Sequence, residues 1–245
     1  MRRGPRYGTL RPVSGHEVGA REVIPLFPLG TVLVPGLLLP LHIFEPRYRQ
    51  LVRDLQQREP DDRAFGVVAI REGHEVGERG VKALHDVGTL AVVREVHPYP
   101  DGRFDLRTDG EARFRVHALV DTGAPYQCAE VEWLAEDDPA DADTAARLSA
   151  EVCRRFDNYR AAVTLAGAVE GSQMLAMPDD PRTLSYLVSV AVVLDLAERQ
   201  RLLEAATTVD RLRLELALLT RETTLLAELP SLPAVELART PSGLT

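Results

Sequence analysis

The sequence predicts an α+β protein in which a small closed β-barrel is followed by an α-helical bundle. Three observations predict it. Before about residue 136, apolar residues alternate or form short β-branched runs cut by Pro and Gly, the pattern of strands and turns. After it they recur every three or four residues, the period of a helix. Between the two lies Glu136-Asp137-Asp138-Pro139-Ala140-Asp141-Ala142-Asp143, with five acidic residues and no basic one. The expected organisation is a loose tail over 1–21, a barrel over 22–135, an acidic linker over 136–143, a bundle over 144–229 and a flexible tail over 230–245.

The first half is justified element by element. Val23–Leu29 is apolar but carries Pro25 and Pro28, so an edge or broken strand is expected. Leu33–Ile43 contains Pro35, Gly36 and Pro40, which forbid a regular helix and interrupt any continuous ladder. Pro46 suits the first turn of a helix, and Tyr48, Leu51, Val52 and Leu55 follow at helical spacing, predicting an amphipathic helix over 46–58. Phe65–Ile70 reads as a buried strand, and 88–97 as a β-branched one. Asp101-Gly102 signals a hairpin turn into a return strand that alternates through Phe104, Leu106 and Thr108, then Phe114, Val116 and Ala118. Gln127–Trp133 ends the series. Many short strands with one helix favour closure, because closure removes exposed edges.

In the second half, Leu148, Val152, Phe156, Tyr159 and Val163 share one helical face. Asp180-Pro181 is an N-cap followed by a first-turn proline, ahead of Leu184, Leu187 and Val188. Asp195 and Glu198 stand at capping-box spacing. Thr207 or Thr208 is the expected cap of a last helix with the stripe Val209, Leu212, Leu216, Leu219, Thr223 and Leu226, ended by Pro230 and Pro233.

Composition excludes several function classes. The 245 residues are 45% hydrophobic and 27% charged, enough for a core and too apolar for wholesale disorder. No apolar run approaches the roughly 18 residues of a membrane span, and the N-terminal arginines precede no apolar stretch, so neither a span nor a secretory signal is expected. Net charge is −8, with 18 basic and 19 acidic residues up to position 135 and 11 against 18 beyond it. That is not the basic footprint of a nucleic-acid binder. Two cysteines, Cys128 and Cys153, make no disulfide framework or zinc site, which suits a reducing cytoplasm. Lysine occurs once, at Lys82 in Gly80-Val81-Lys82-Ala83, so a phosphate-binding loop is excluded and a Ser–Lys hydrolase would have only this base.

The other candidate constellations read as structure. The six histidines form no metal-binding spacing, and the neighbours His74-Glu75 and His85-Asp86 point to opposite faces if on strands. The cysteines sit among apolar residues, as small core residues do. The paired carboxylates Asp61-Asp62, Asp137-Asp138 and Asp179-Asp180 stand beside Pro or turn signals and read as solvated loops. No Gly-x-Ser-x-Gly occurs. Neither a catalytic residue, a cofactor nor a metal is expected.

The most distinctive segment is Pro40-Leu41-His42-Ile43-Phe44-Glu45-Pro46-Arg47-Tyr48-Arg49. With Ile24-Pro25-Leu26-Phe27-Pro28-Leu29 before it, it resembles the start of the Lon protease N-terminal (substrate-binding) domain family. Phe65-Gly66-Val67-Val68-Ala69-Ile70, His85-Asp86-Val87-Gly88-Thr89-Leu90-Ala91, Pro100-Asp101-Gly102-Arg103, Gly110-Glu111-Ala112-Arg113-Phe114-Arg115-Val116 and Arg199-Gln200-Arg201-Leu202-Leu203-Glu204 continue the pattern in order. The resemblance covers roughly 22–229. It implies a PUA-like β-barrel followed by a helical bundle, and protein or peptide recognition without catalysis. In full Lon proteases an ATPase module and a Ser–Lys peptidase follow, so the chain reads as a stand-alone member.

The function expected is therefore a non-catalytic, cytoplasmic module that engages unfolded or extended protein segments, a protease or a chaperone, with no nucleic acid and no membrane. The alternatives are an RNA-binding PUA-like module, which the acidic balance opposes, and a cryptic hydrolase lacking a visible triad. The expected peptide-binding residues are Leu37, Leu39, Leu41, Phe44, Glu45, Arg47 and Tyr48, an apolar crowd rimmed by charge. The competing reading is a strand-to-helix corner, its apolar residues filling the core and Glu45 favouring the helix N-terminus.

Overall fold

The computed structural model describes residues 16–73, 81–136, 141–165 and 177–228. Seven strands come first: β1 (Arg21–Leu29), β2 (Leu38–Ile43), β3 (Ala64–Gly73), β4 (Val81–Leu84), β5 (Val87–Pro98), β6 (Phe104–Val120) and β7 (Cys128–Trp133). Helix α1 (Pro46–Gln56) and a 3-10 turn (Pro60–Asp62) interrupt them. Helices α2 (Ala142–Leu165), α3 (Pro181–Ala191), α4 (Leu196–Glu204) and α5 (Thr208–Glu228) follow. The described residues thus form a mixed α/β fold with a largely antiparallel sheet and five α-helices. Residues 137–140 of the expected linker, 1–15 of the first expected tail and all of the second lie outside the described residues, as do His74, Glu75 and the Gly77–Gly80 turn.

The pairing runs β1–β7–β6–β5–β3 and returns to β1, because β1 bonds antiparallel to β7 and parallel to β3. Of the expected edge or broken strand, β1 takes the second form, because its two halves have different partners. Residues Arg21 to Pro25 face β7 and Leu26 to Leu29 face β3, so the strand changes partner at its first proline. The ladder survives Pro25 because alternate N–H groups point to opposite sides, and Leu26 N–H donates to Gln127 O at 2.8 Å.

Inside, Phe114 is fully buried beside Leu26, Val68, Leu90, Val131 and Trp133. Gly66 and Gly88 make room for its ring; a Cβ at either position would lie 2.6 Å from the ring tip. The other end of the sheet is closed by α1, whose Tyr48, Leu51, Val52 and Leu55 join Phe27, Phe65 and Phe104 in a second cluster. Two polar contacts fix α1 from outside: Tyr126 Oη donates to Asp54 at 2.8 Å, and Arg49 donates to Asp101 O at 3.2 Å. Burial, with the Asp54 bond, pushes the Tyr126 phenol up to about 12.

The helical stripe of α2 (Val152, Phe156, Tyr159) packs on Leu184 and Val188 of α3 and Leu212 and Leu219 of α5. The expected caps form. Asp180 accepts from Thr183 N at 2.8 Å, Asp195 accepts from Glu198 N at 2.7 Å in a capping box, and Thr207 Oγ1 accepts from Asp210 N at 3.1 Å.

Two buried arginines brace the junction of the halves, Arg113 from the sheet and Arg211 from within the helices. Arg113 of β6 is 1% exposed and donates to Leu203 O (2.8 Å), Ala205 O (2.6 Å), Ala206 O (3.3 Å), Ala135 O (2.9 Å) and Glu136 Oε1 (2.8 Å). Arg211 of α5 donates to Leu202 O at 3.1 Å, Ser185 Oγ at 3.0 Å and Tyr186 Oη at 2.8 Å, and stacks over the Tyr186 ring. The last carbonyls of a helix have no partner within it, and here guanidinium groups of the sheet and of α5 supply them for α4. Tyr186 Oη in turn donates to Glu136 Oε2 at 2.7 Å, so Glu136 answers both arginines from the start of the acidic stretch.

Candidate functional site

The candidate site is the corner where β2 turns into α1. Strand β2 follows the Pro35-Gly36 turn and pairs antiparallel with β6 in unbroken register, from Leu38 opposite Asp109 to Ile43 opposite Phe104. This corrects the expectation that the prolines interrupt its ladder. Among the described residues β2 bonds on one side only, and a strand with a free edge tolerates proline at Pro40.

Alternation then sorts the side chains. Leu39, Leu41 and Ile43 point inward; the first two are half-buried and pack, with Leu37, against the cluster that holds α1. Leu38, Pro40 and His42 point outward, and Phe44 continues that row, with Leu38 44% and Phe44 49% exposed. Tyr48 is buried at 4% exposure with its ring stacked on Phe27, centroids 4.0 Å apart. Glu45 and Arg47 are half-buried and pair with each other at 3.0 Å, the guanidinium lying 4.5 Å from the Tyr48 ring centroid. Glu45 stands at the N-cap position of α1 but its side chain makes no cap bond. Of the seven expected residues, only Phe44 projects into solvent; the rest build the corner that holds it.

The neighbouring strands complete the outer face. His42 lies opposite Asp105, and Asp105 opposite His97, in one row across β2, β6 and β5. Asp105 Oδ1 is 2.6 Å from His42 Nδ1, and its Oδ2 accepts from Tyr99 Oη at 2.6 Å. The Tyr99 bond first, and His42 second, hold the Asp105 carboxyl below its ordinary range. An ionised carboxylate only accepts, so Nδ1 of His42 carries the proton. His42 Nε2 is 3.4 Å from Arg103 Nη1, and Arg103 also pairs with Asp101 at 2.7 Å. The same Asp105 bond, followed by burial, raises the Tyr99 phenol.

The result is a fixed ring platform, His42 with Phe44 and Tyr99 at centroid distances of 6.3 and 6.0 Å, beside an unpaired strand edge. Its chemistry is that of contact: apolar and aromatic faces for side chains, and backbone groups for another strand. The sequence points to neither Tyr99 nor Asp105; Asp105 joins the site through the register of β6 against β2, and Tyr99 from the turn between β5 and β6. The signal available beforehand was alternation within Leu38–Phe44, which separates outward from inward residues. Among the described residues, no group of three or more His, Cys, Asp or Glu is placed to hold a metal ion, and no helix is long and apolar enough to cross a membrane.

Comparison with known proteins gives a consistent answer. Residues 23–221 match the family model of the ATP-dependent protease La (LON) substrate-binding domain. The chain is 28% identical over 213 residues to Lon protease of Escherichia coli (strain K12), covering 86% of this chain and 26% of that protein. It is 30% identical over 204 residues to Lon protease 1 of Thermus thermophilus, covering 82% of this chain and 25% of that protein. It therefore spans about a quarter of the length of these relatives. Among solved structures, the Lon N-terminal domain protein from Xanthomonas campestris superposes with a TM-score of 0.51 at 25% identity, covering 85% of this chain and 99% of that one. The N-terminal domain of Mycobacterium avium complex Lon protease has the same fold, with a TM-score of 0.57 at 20% identity over 83% of this chain and 98% of that one.

Proposed function

The chain belongs to the LON substrate-binding domain family, and from that membership we propose that it is a non-catalytic module that binds extended or unfolded protein segments at the outer face of the β2–α1 corner. The observation that carries this reading is the pairing of an open strand edge with an exposed apolar row, Leu38 and Phe44. An extended segment satisfies its backbone by adding to such an edge, and its alternate side chains then meet the row. The His42–Asp105–Tyr99 bonds hold the platform still, so little side-chain freedom is lost on binding. Ordering a disordered segment costs entropy, and affinity in the micromolar range or weaker follows.

The closed circuit of strand pairing, with the family membership, supports reading the sheet as a PUA-like barrel and α2–α5 as its bundle. In this reading the module works in the cytoplasm as an accessory to proteolysis, handing segments to a protease or chaperone.

The test is binding of a labelled, reduced and alkylated model protein, followed by fluorescence anisotropy. Leu38→Asp and Phe44→Ala change exposed side chains, so circular dichroism and Tm should stay near wild type. Each should weaken binding about fivefold or more, the cost of losing roughly 1 kcal/mol of apolar contact. Wild-type affinity in both folded variants would move the site elsewhere.

A further inference from the structure

Strand β2 leaves half of its main-chain groups outside the sheet. Gly110 N–H donates to Leu37 O at 2.9 Å, and from there the antiparallel register places the ladder bonds on Leu39, Leu41 and Ile43. The main-chain groups of Leu38, Pro40 and His42 therefore point away from β6, and no other strand among the described residues pairs with them. Pro40 contributes a carbonyl to this open side but no N–H.

An open edge can take two kinds of strand: an extended segment of another protein, or the same edge of a second copy. Native proteins guard such edges with charge, bulges or proline. Strand β2 carries no Lys, Arg, Asp or Glu, and the charges next to it are already paired, Arg107 with Glu95 and Arg103 with Asp101, each at 2.7 Å. Its register is unbroken along all six residues, so no bulge bends the edge away. Pro40, exposed in the middle of the strand, is the guard that remains. It acts unequally on the two partners. A foreign strand loses the single bond that residue 40 would have donated. Two copies lying edge to edge lose one bond from each, and in the symmetric antiparallel pairing centred on Pro40 both losses fall at the centre.

We propose that Pro40 determines what the β2 edge accepts: it admits an extended segment of another protein and keeps a second copy of this chain from zipping onto the strand. The missing donor also holds a bound segment by one bond fewer, so the segment leaves sooner. The inference rests on the proposed segment-binding function for the identity of the incoming strand, and assigns a specificity-determining residue to that site.

The experiment uses the whole chain with Pro40→Val and, separately, Pro40→Ala. Both return an N–H to position 40 on the side away from β6, so the ladder and the fold stay intact, checked by circular dichroism and Tm. In sedimentation velocity at rising concentration both variants should self-associate where the wild type does not. Anisotropy with the reduced and alkylated model protein, below the concentration of self-association, should show binding about three- to tenfold tighter, the gain of one hydrogen bond. In hydrogen exchange the new amide at position 40 should exchange fast in the dilute chain and slowly once the model protein is bound. Unchanged self-association, unchanged affinity, or a new amide already protected in the dilute chain overturns the inference. Phe44-dependent binding by the wild type then leaves the proposed function standing. If neither wild type nor variants bind unfolded protein, the proposed function fails, and the segment half of the inference fails with it.

Discussion

Single residues decide how firmly the two halves hold together. Arg113 is a strand residue in a family-like run of alternating residues, yet its side chain spans from β6 to the end of α4 and meets five acceptors. Removing one partner of a buried ionic group leaves the others unpaired, which costs about 3–5 kcal/mol. Arg113→Met should therefore lower stability by that order in urea unfolding, whereas Arg107→Met, an exposed pair with Glu95, should change it by less than about 1 kcal/mol. Glu215 is the opposite case. It is 1% exposed in α5 and neither carboxyl oxygen has a partner, so burial raises its pKa well above the ordinary value despite the opposing pull of Arg211. The folded state then holds a proton that the unfolded chain releases above about pH 4.5, and stability falls as pH rises from there toward the raised value. Glu215→Met should be more stable than wild type, with a Tm gap that widens as pH rises above about 4.5, at about 2–4 °C per kcal/mol. A gap that narrows as pH rises would mean the carboxyl has a partner when folded.

Elements differ in how far their sequence announces them. Helices α3 and α4 were legible because their caps are local: Asp180-Pro181 and the Asp195–Glu198 pair lie within one turn of what they cap. Asp195→Ala should cost about 1 kcal/mol, read as a shift of the denaturation midpoint with an unchanged slope. Helix α1 was legible from its spacing, ending at Gln56 against the expected 58. Most strands were legible as strands, though β4 was not and β2 was read as irregular, and none of their partners was legible. Prolines at 25 and 28 suggested an edge or broken strand, and β1 does break its pairing, from β7 to β3, but the sequence names neither partner. Prolines at 35 and 40 suggested a broken ladder, while β2 is continuous because its free side needs no donor. In both, the deciding fact is which long-range neighbour stands on which side, and no short window of residues encodes it. The candidate site suffers the same limit. Six of the seven residues named from the sequence face inward or pair locally, and the exposed row gains Tyr99 from the β5–β6 turn and Asp105 from β6, both about 60 residues away.

At the scale of the whole molecule, the sheet and the helices behave as one body. Val32, Val34, Ala69 and Val87 of the first half share a buried cluster with Tyr186 and Leu203 of the second, and Gln200 Nε2 donates to Val87 O at 3.0 Å. With Arg113, these contacts tie the sheet to the helical half. A single cooperative unfolding transition, coincident by near-UV and far-UV circular dichroism, is expected for the whole chain. The central claim is where a segment binds. Hydrogen exchange of the full chain, with and without the reduced and alkylated model protein, tests it most directly. The expected result is slowed exchange across residues 38–44, with no change along the outer face of β7. Protection confined to β7, or to the helices with 38–44 unchanged, would contradict it.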